Sequence, residues 1–249
     1  MMKEAKLILI FLLMCCADVR AQTDSLFLKG VKQLSESNYS SASESFLKDI
    51  RKKPGHDAFY NLGMAYAGKE NWLKSLWAFE SALKYRPGSS DAAYNAALVY
   101  EKLENTSSDW ENPFSWSKRL LLGFGSSIWG GLSFIFGLIS GLAIFILLSG
   151  SENYKYRKFS KFSLLPSIVL FVLCFYSFML VSDHYRKDHY LYASGNGIQT
   201  HVSPGGIAIE ENLESYVRYE ILESRNGWFK ILTKNDRTVW VSEKNVLSY

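Results

Sequence analysis

Two histidines each follow an aspartate, Asp183-His184 and Asp188-His189, and such units could hold a metal or pass a proton. Their spacing argues against it. Five residues along a helix carry the second histidine to a different face, whereas helical metal sites use a shared face at a spacing of four. A polar cluster at a membrane edge is the better reading. Gly123-Phe124-Gly125 begins like a nucleotide loop, but Ile128 stands where the third glycine belongs, so no phosphate cradle is completed. Glu210, Glu211 and Glu214 read as a solvated acidic loop, with contact to a cation or a partner as the other use. The chain has four histidines, no paired thiols and no nucleophile elbow around a serine. No catalytic constellation results, and neither enzyme activity, a metal nor a cofactor is expected.

The elements that would position such groups belong to two solvents. Leu120 to Ser149 and Phe162 to Ser182 carry no charged side chain, while the flanking stretches are ordinary mixtures. Both runs are long enough to cross hydrocarbon, so a multidomain membrane protein is expected. A net charge of +4, dispersed along the chain, gives no basic stripe and excludes nucleic acid as the partner. At the N-terminus Lys3 and Lys6 precede the apolar run Leu7 to Cys16, and Val19 and Ala21 supply small residues before Gln22. That order is a secretory signal peptide over residues 1–21, cleaved after Ala21. The alternative makes Cys15 or Cys16 a lipidated cysteine, although Met14 or Cys15 would then stand where a small residue belongs. Of three cysteines, two fall in this leader and Cys174 lies in an apolar run, so the mature chain forms no internal disulfide.

Residues 22–104 repeat. Gly30 pairs with Gly63, Ala42 with Ser75, Phe46 with Phe79 and Pro54 with Pro87, all 33 apart. A third unit follows at 34, with Tyr60, Asn61 and Tyr66 matched by Tyr94, Asn95 and Tyr100. Periods of this size mean stacked helical pairs. The small residues Gly30, Gly63 and Ala97 let two helices approach, Phe46 and Phe79 fill the gap, and the prolines stop each second helix. Phe59-Tyr60-Asn61-Leu62-Gly63 with Tyr66, Ser75, Phe79, Ala82 and Pro87 resembles the tetratricopeptide repeat (TPR) signature, which implies an α-helical TPR solenoid of two repeats and a capping helix near Asp91 to Leu103. Such arrays bind partners on the face lined by the first helix of each unit. That face would hold Phe27, Tyr60 and Tyr94 at one position and Val31, Met64 and Leu98 at another, with Asn61 and Asn95 beside them. A partner's peptide or helix could lie there. Alternatively these side chains pack neighbouring helices.

Residues 105–127 read as a linker and an interfacial segment, with Trp110, Phe114 and Trp116 at headgroup level. A transmembrane helix is expected over 128–149 and a second over 162–182, forming a two-helix hairpin. Ser133, Gly137 and Gly141 recur every four residues, a small-residue stripe that lets a helix approach closely, the second span being the nearest candidate and another protein the alternative. The loop 150–161 carries Lys155, Arg157, Lys158 and Lys161 against Glu152 alone. It should therefore face the cytoplasm, leaving both folded domains in the periplasm of an inner-membrane protein with membrane lipid around its spans.

After a linker over 183–197, short alternating runs begin: Ile198 to Val202, Ala208-Ile209, Tyr216 to Leu222, Trp228 to Leu232 and Thr238 to Val241. Asn226-Gly227 is a tight-hairpin signal. These strands resemble a bacterial SH3-like domain, a small all-β barrel over 198–249, in which Trp228 and Trp240 serve either as core or as a ligand surface. The whole order, with Asn61-Leu62-Gly63-Met64-Ala65-Tyr66 and Asn226-Gly227-Trp228-Phe229-Lys230-Ile231, resembles the BatE family of the Bacteroides aerotolerance (Bat) operon. The resemblance implies a scaffold in a membrane assembly with von Willebrand factor A domain proteins and a MoxR-type ATPase, linked to oxidative-stress tolerance. It maps no residue-level site. The other function class is an envelope sensor whose SH3-like domain binds a cell-wall peptide.

Overall fold

The repeated sequence produces a repeated turn. Helices α1 (Ser25–Ser35) and α2 (Tyr39–Lys52) meet at a bend where Ser37 takes φ 58° and the Asn38 side chain accepts a hydrogen bond from the Ser41 amide. Helices α3 (His56–Gly68) and α4 (Trp72–Tyr85) meet in the same way, with Glu70 at φ 56° and Asn71 accepting from the Lys74 amide. Each asparagine satisfies an N–H that the first helical turn would leave orphaned, worth about 1 kcal/mol. Helix α2 ends two residues before Pro54 and α4 two before Pro87. A fifth helix, α5 (Ser90–Glu104), packs on α4. The computed structural model that defines these elements describes residues 25–104, 110–149, 154–195, 197–209 and 213–249. The leader with its Ala21 site, and Asp109, Glu152, Glu210 and Glu211, lie outside the described residues.

Two glycines set how closely the helices pack. A Cβ on Gly30 would stand 2.7 Å from Cε1 of Phe46, and one on Gly63 2.7 Å from Cε1 of Phe79. Both rings are fully enclosed, so neither can swing away. Substituting Gly63→Ala is expected to destabilise the helical half by about 1–3 kcal/mol through overpacking. A lowered denaturation midpoint would register this, and an unchanged midpoint would mean that the Phe79 ring has room after all.

Helix α6 (Trp116–Gly123) starts at Ser115, whose side chain accepts from the Lys118 amide, and ends at a break where Gly125 takes φ 68°. It leaves Trp116, Leu120 and Phe124 exposed. Helices α7 (Gly125–Leu148) and α8 (Tyr154–Arg186) then lie side by side as a hairpin, each long and apolar enough to cross a membrane. Helix α8 begins inside the expected 150–161 loop and continues past residue 182, so the linker expected over 183–197 is in large part a helix end and a strand.

The stripe between the two long helices needs one correction. Ser133 is buried there, and a Cβ on Gly137 would meet the Phe171 ring at 3.3 Å. Gly141, by contrast, has nothing within 4 Å of its Cβ position and faces away. Four residues advance an α-helix by more than one full turn, so a strict spacing of four drifts off the contact face, whereas seven residues return almost to it. Ser140 accordingly replaces Gly141, its hydroxyl 2.9 Å from that of Ser167 across the interface. Gly130 extends the face toward Phe178.

The remaining chain forms a curled antiparallel sheet, a half-barrel of seven strands in the order β3-β2-β6-β5-β4-β1-β7. They are β1 (Tyr190–Ala193), β2 (Thr200–His201), β3 (Ala208–Ile209), β4 (Tyr219–Arg225), β5 (Trp228–Leu232), β6 (Thr238–Ser242) and β7 (Val246–Ser248). Asn226 at φ 49° and Gly227 at φ 78° make the two-residue turn that Asn-Gly favours, with Arg225 opposite Trp228. The sheet starts at Tyr190 rather than at Ile198, because β1 is needed between β4 and β7 to close its far side. Its own core holds Leu191, Leu213, Tyr219, Phe229, Ile231, Val239 and Val241.

A second core joins the sheet to the helices. Leu76 and Phe79 of α4, Ala96 and Val99 of α5, and Tyr192 and Tyr249 of the sheet form one buried cluster. The Trp77 indole donates to the Ser248 carbonyl at 2.8 Å. Helical half and sheet are therefore packed against each other, not strung on linkers.

Candidate functional site

The first helices of the successive units present equivalent side chains, and their exposure divides them into two sets. Val31, Met64 and Leu98 are 38%, 38% and 43% exposed, and Tyr94 is 69% exposed. These four line the outer face of α1, α3 and α5 as a row of apolar groups open to solvent. Phe27 and Tyr60 turn inward: Phe27 packs on Phe46 with ring centroids 5.9 Å apart, and Tyr60 on Phe79 at 5.6 Å. The amides are also engaged. Asn61 Nδ2 donates to the Asp57 carbonyl at 2.8 Å, and Asn95 Nδ2 donates to the Tyr60 hydroxyl at 3.1 Å, clamping α5 to α3. Of the eight expected groove residues, four are displayed, Phe27, Tyr60 and Asn95 hold neighbouring helices together, and Asn61 bonds within its own helix.

The strongest polar feature is a buried carboxylate at the contact of the helices with the sheet. Glu80 of α4 is 0% exposed and is surrounded by donors. Trp110 Nε1 donates to its Oε1 at 2.6 Å and Arg218 Nη1 to the same oxygen at 3.1 Å, while Tyr192 Oη donates to Oε2 at 2.9 Å. The Tyr249 hydroxyl also donates to Oε2. A carboxylate carried out of water is tolerated only when it is paired and saturated with hydrogen bonds, and here both oxygens are. The donors come from the segment before α6, from the β3–β4 connection and from β1, and Tyr249 follows β7, so one side chain ties four parts of the chain together. Burial first, and then the Glu80 charge, push the Tyr192 and Tyr249 phenols well above their ordinary 10.0. Burial works to lower the Arg218 guanidinium, but Glu80 and the neighbouring tyrosines offset it and hold its pKa above the usual value.

The Asp-His units sit where α8 meets the folded part. Their spacing of five carries the pair past the helix end, so the two imidazoles stack with centroids 4.4 Å apart. Nε2 of His184 lies 3.3 Å from the Lys84 carbonyl, and Nε2 of His189 lies 3.1 Å from the His184 carbonyl. Phe114 meets His184 edge-on at 5.3 Å, Tyr85 stacks on Tyr185 at 5.9 Å, and Lys84 Nζ pairs with Asp188 Oδ1 at 3.2 Å. This is a structural collar fastening α8 to α4. Burial first holds His189 below its ordinary 6.5, with the Lys84 and Lys118 charges adding to it and the His184 carbonyl opposing. Among the described residues no group of three metal-ligating side chains comes together.

Sequence alone does not single out Glu80, though a signal was present. From Ser75 to Leu83 helix α4 has no polar stripe, and a helix covered on all sides must have another element on its far face. The acid in that stretch, Glu80, and the lysine just after it, Lys84, then need partners from elsewhere. In the sheet, Trp240 is buried and lies opposite Lys230 and His201, while Trp228 is half-buried with its ring 4.9 Å from that of His201. Neither tryptophan forms an open aromatic platform. Comparison with family models, with curated proteins and with solved structures finds no match.

Proposed function

We propose that the chain is a non-enzymatic, membrane-anchored scaffold whose helical half is a short TPR solenoid holding a segment of a partner protein. The observation that carries this reading is the row Val31, Met64 and Leu98, three exposed apolar side chains at one repeat position, with Tyr94 beside them. Exposed apolar rows of this kind on rigid helices suit an amphipathic helix or an extended peptide. The resemblance to the BatE family supplies the class of partner, membrane proteins with a von Willebrand factor A domain and other Bat components in an envelope complex linked to oxidative-stress tolerance. The half-barrel, read as SH3-like, braces the repeats through the Glu80 junction. A cell-wall-peptide role for it has less support, because Trp240 is enclosed and Trp228 is half covered. The hairpin would anchor the scaffold in the inner membrane with its basic loop cytoplasmic and both folded halves periplasmic.

Replacing Leu98 by aspartate puts a charge on the row without touching the core. Binding of a von Willebrand factor A domain partner, measured by co-purification in mild detergent and by titration of the purified pair, should weaken about ten-fold or more, with melting unchanged. Undiminished binding by L98D, or recovery of the wild type with no such partner, would remove this function.

A further inference from the structure

We infer that the hairpin holds an anionic diacyl phospholipid in a crevice between α7 and α8 at their loop end, an inference that rests on the membrane-spanning reading above. The crevice has a volume of about 540 Å³ and is lined by Leu142, Ala143, Ile146, Phe159, Ser160 and Ser163. It exists because small residues meet where the helices run side by side: Ala143 and Ser160 are buried, and Ser163 is half-buried. Almost all of its wall is carbon, and its size is that of a site for a small molecule. In a bilayer the natural occupant of such a space is an acyl chain.

Charge selects which lipid. Lys155 and Tyr156 stand at the mouth, and Arg157, Lys158 and Lys161 lie exposed on the adjoining turns of α8. From Leu120 to Ser182 Glu152 is the single acid against these four cations. At headgroup level each such cation favours an anionic over a neutral lipid by roughly five-fold. Lys155 stands at the crevice itself, and Arg157, Lys158 and Lys161 lie on the flanks and back of the same turns, so they meet the headgroup of a chain lodged there from around the helix end.

The full chain, inserted into vesicles of equimolar phosphatidylglycerol and phosphatidylcholine and released for native mass spectrometry, should retain phosphatidylglycerol over phosphatidylcholine by about five-fold or more. S163F, which fills the crevice, should lose the retained lipid. K155Q/R157Q/K158Q/K161Q removes all four charges with side chains of similar length and should retain lipid without preference, which keeps the test decisive if S163F folds poorly. Equal retention of both lipids by the wild type, or a preference that survives the fourfold charge substitution, would overturn the inference. Release from the vesicles by an alkaline wash would overturn the membrane reading and this inference with it, whereas stable insertion without preference overturns the crevice alone.

Discussion

Glu80→Ala is expected to lower the unfolding free energy by about 4 kcal/mol, read as a shift of the denaturation midpoint followed by tryptophan fluorescence. Removing one partner of a buried pair leaves the other charged and unpaired, and Arg218, whose side chain is 27% exposed, keeps little water to fall back on. Three further donors, the Trp110 indole and the Tyr192 and Tyr249 hydroxyls, lose their acceptor at the same time. Glu80→Gln retains an acceptor and should cost about half as much. The double substitution E80L/R218L removes both charges and should recover much of the loss, since a buried ion pair can often be replaced by apolar side chains. An E80A midpoint equal to that of the wild type would mean that the junction does not join the two halves.

The Glu80 junction and the collar at the end of α8 together give the protein a stability window in pH. Tyr192 and Tyr249 have phenols held well above the ordinary 10.0, so above that pH the unfolded chain releases protons that the folded chain keeps. Stability from these groups is complete below pH 10 and is lost as the pH rises. His189 acts in the opposite direction: its folded pKa lies below 6.5, so the unfolded chain binds the extra proton, and stability falls as the pH drops below that value. A plateau between these limits, with its alkaline edge weakened in Y192F, would tie the upper limit to Glu80's donors.

Much of this architecture is legible in the sequence, because it rests on local rules. The spacing of Gly63 and Phe79, the stops at Pro54 and Pro87, and the turn at Asn226-Gly227 are each set by neighbours a few residues away or by one period. The third unit ends as a single helix at Ser90–Glu104, within a residue of its expected limits. What stays hidden is long-range. Val31 and Phe27 both belong to the first-helix face in the sequence, but only packing against Phe46 decides that Phe27 turns in. Gly141 was expected on the contact stripe by a spacing of four, yet a pair of straight helices selects Ser140 by a spacing of seven. The Glu80 junction joins residues 138 positions apart, as with Arg218, and no periodicity connects them.

Cut free of its helices, the segment Tyr190–Tyr249 should not fold, and its amide proton–nitrogen spectrum should show the narrow dispersion of an unfolded chain. In the intact protein Tyr192 is 1% and Tyr249 3% exposed, under cover supplied by Leu76, Phe79, Ala96 and Val99. Without those helices both aromatic faces meet water, each at a loss of about 1.5–3 kcal/mol, and Arg218 loses its carboxylate. A domain of this size buries too little of its own surface to absorb that. The helices restore it if the hairpin is removed instead. Tyr190 Oη donates to the Pro113 carbonyl at 3.4 Å and Phe114 touches His184, so the two ends of the hairpin stand side by side. Joining Ser115 to Asp183 through a short Gly-Ser linker should therefore give a protein that melts in one transition and keeps a well-dispersed spectrum. Two separate transitions, or a folded Tyr190–Tyr249 segment, would show that the halves are independent modules. One transition makes the displayed row of α1, α3 and α5 part of a single rigid body. On the scaffold reading proposed above, a partner seated on Leu98 would then be held at a fixed distance from the end of α8.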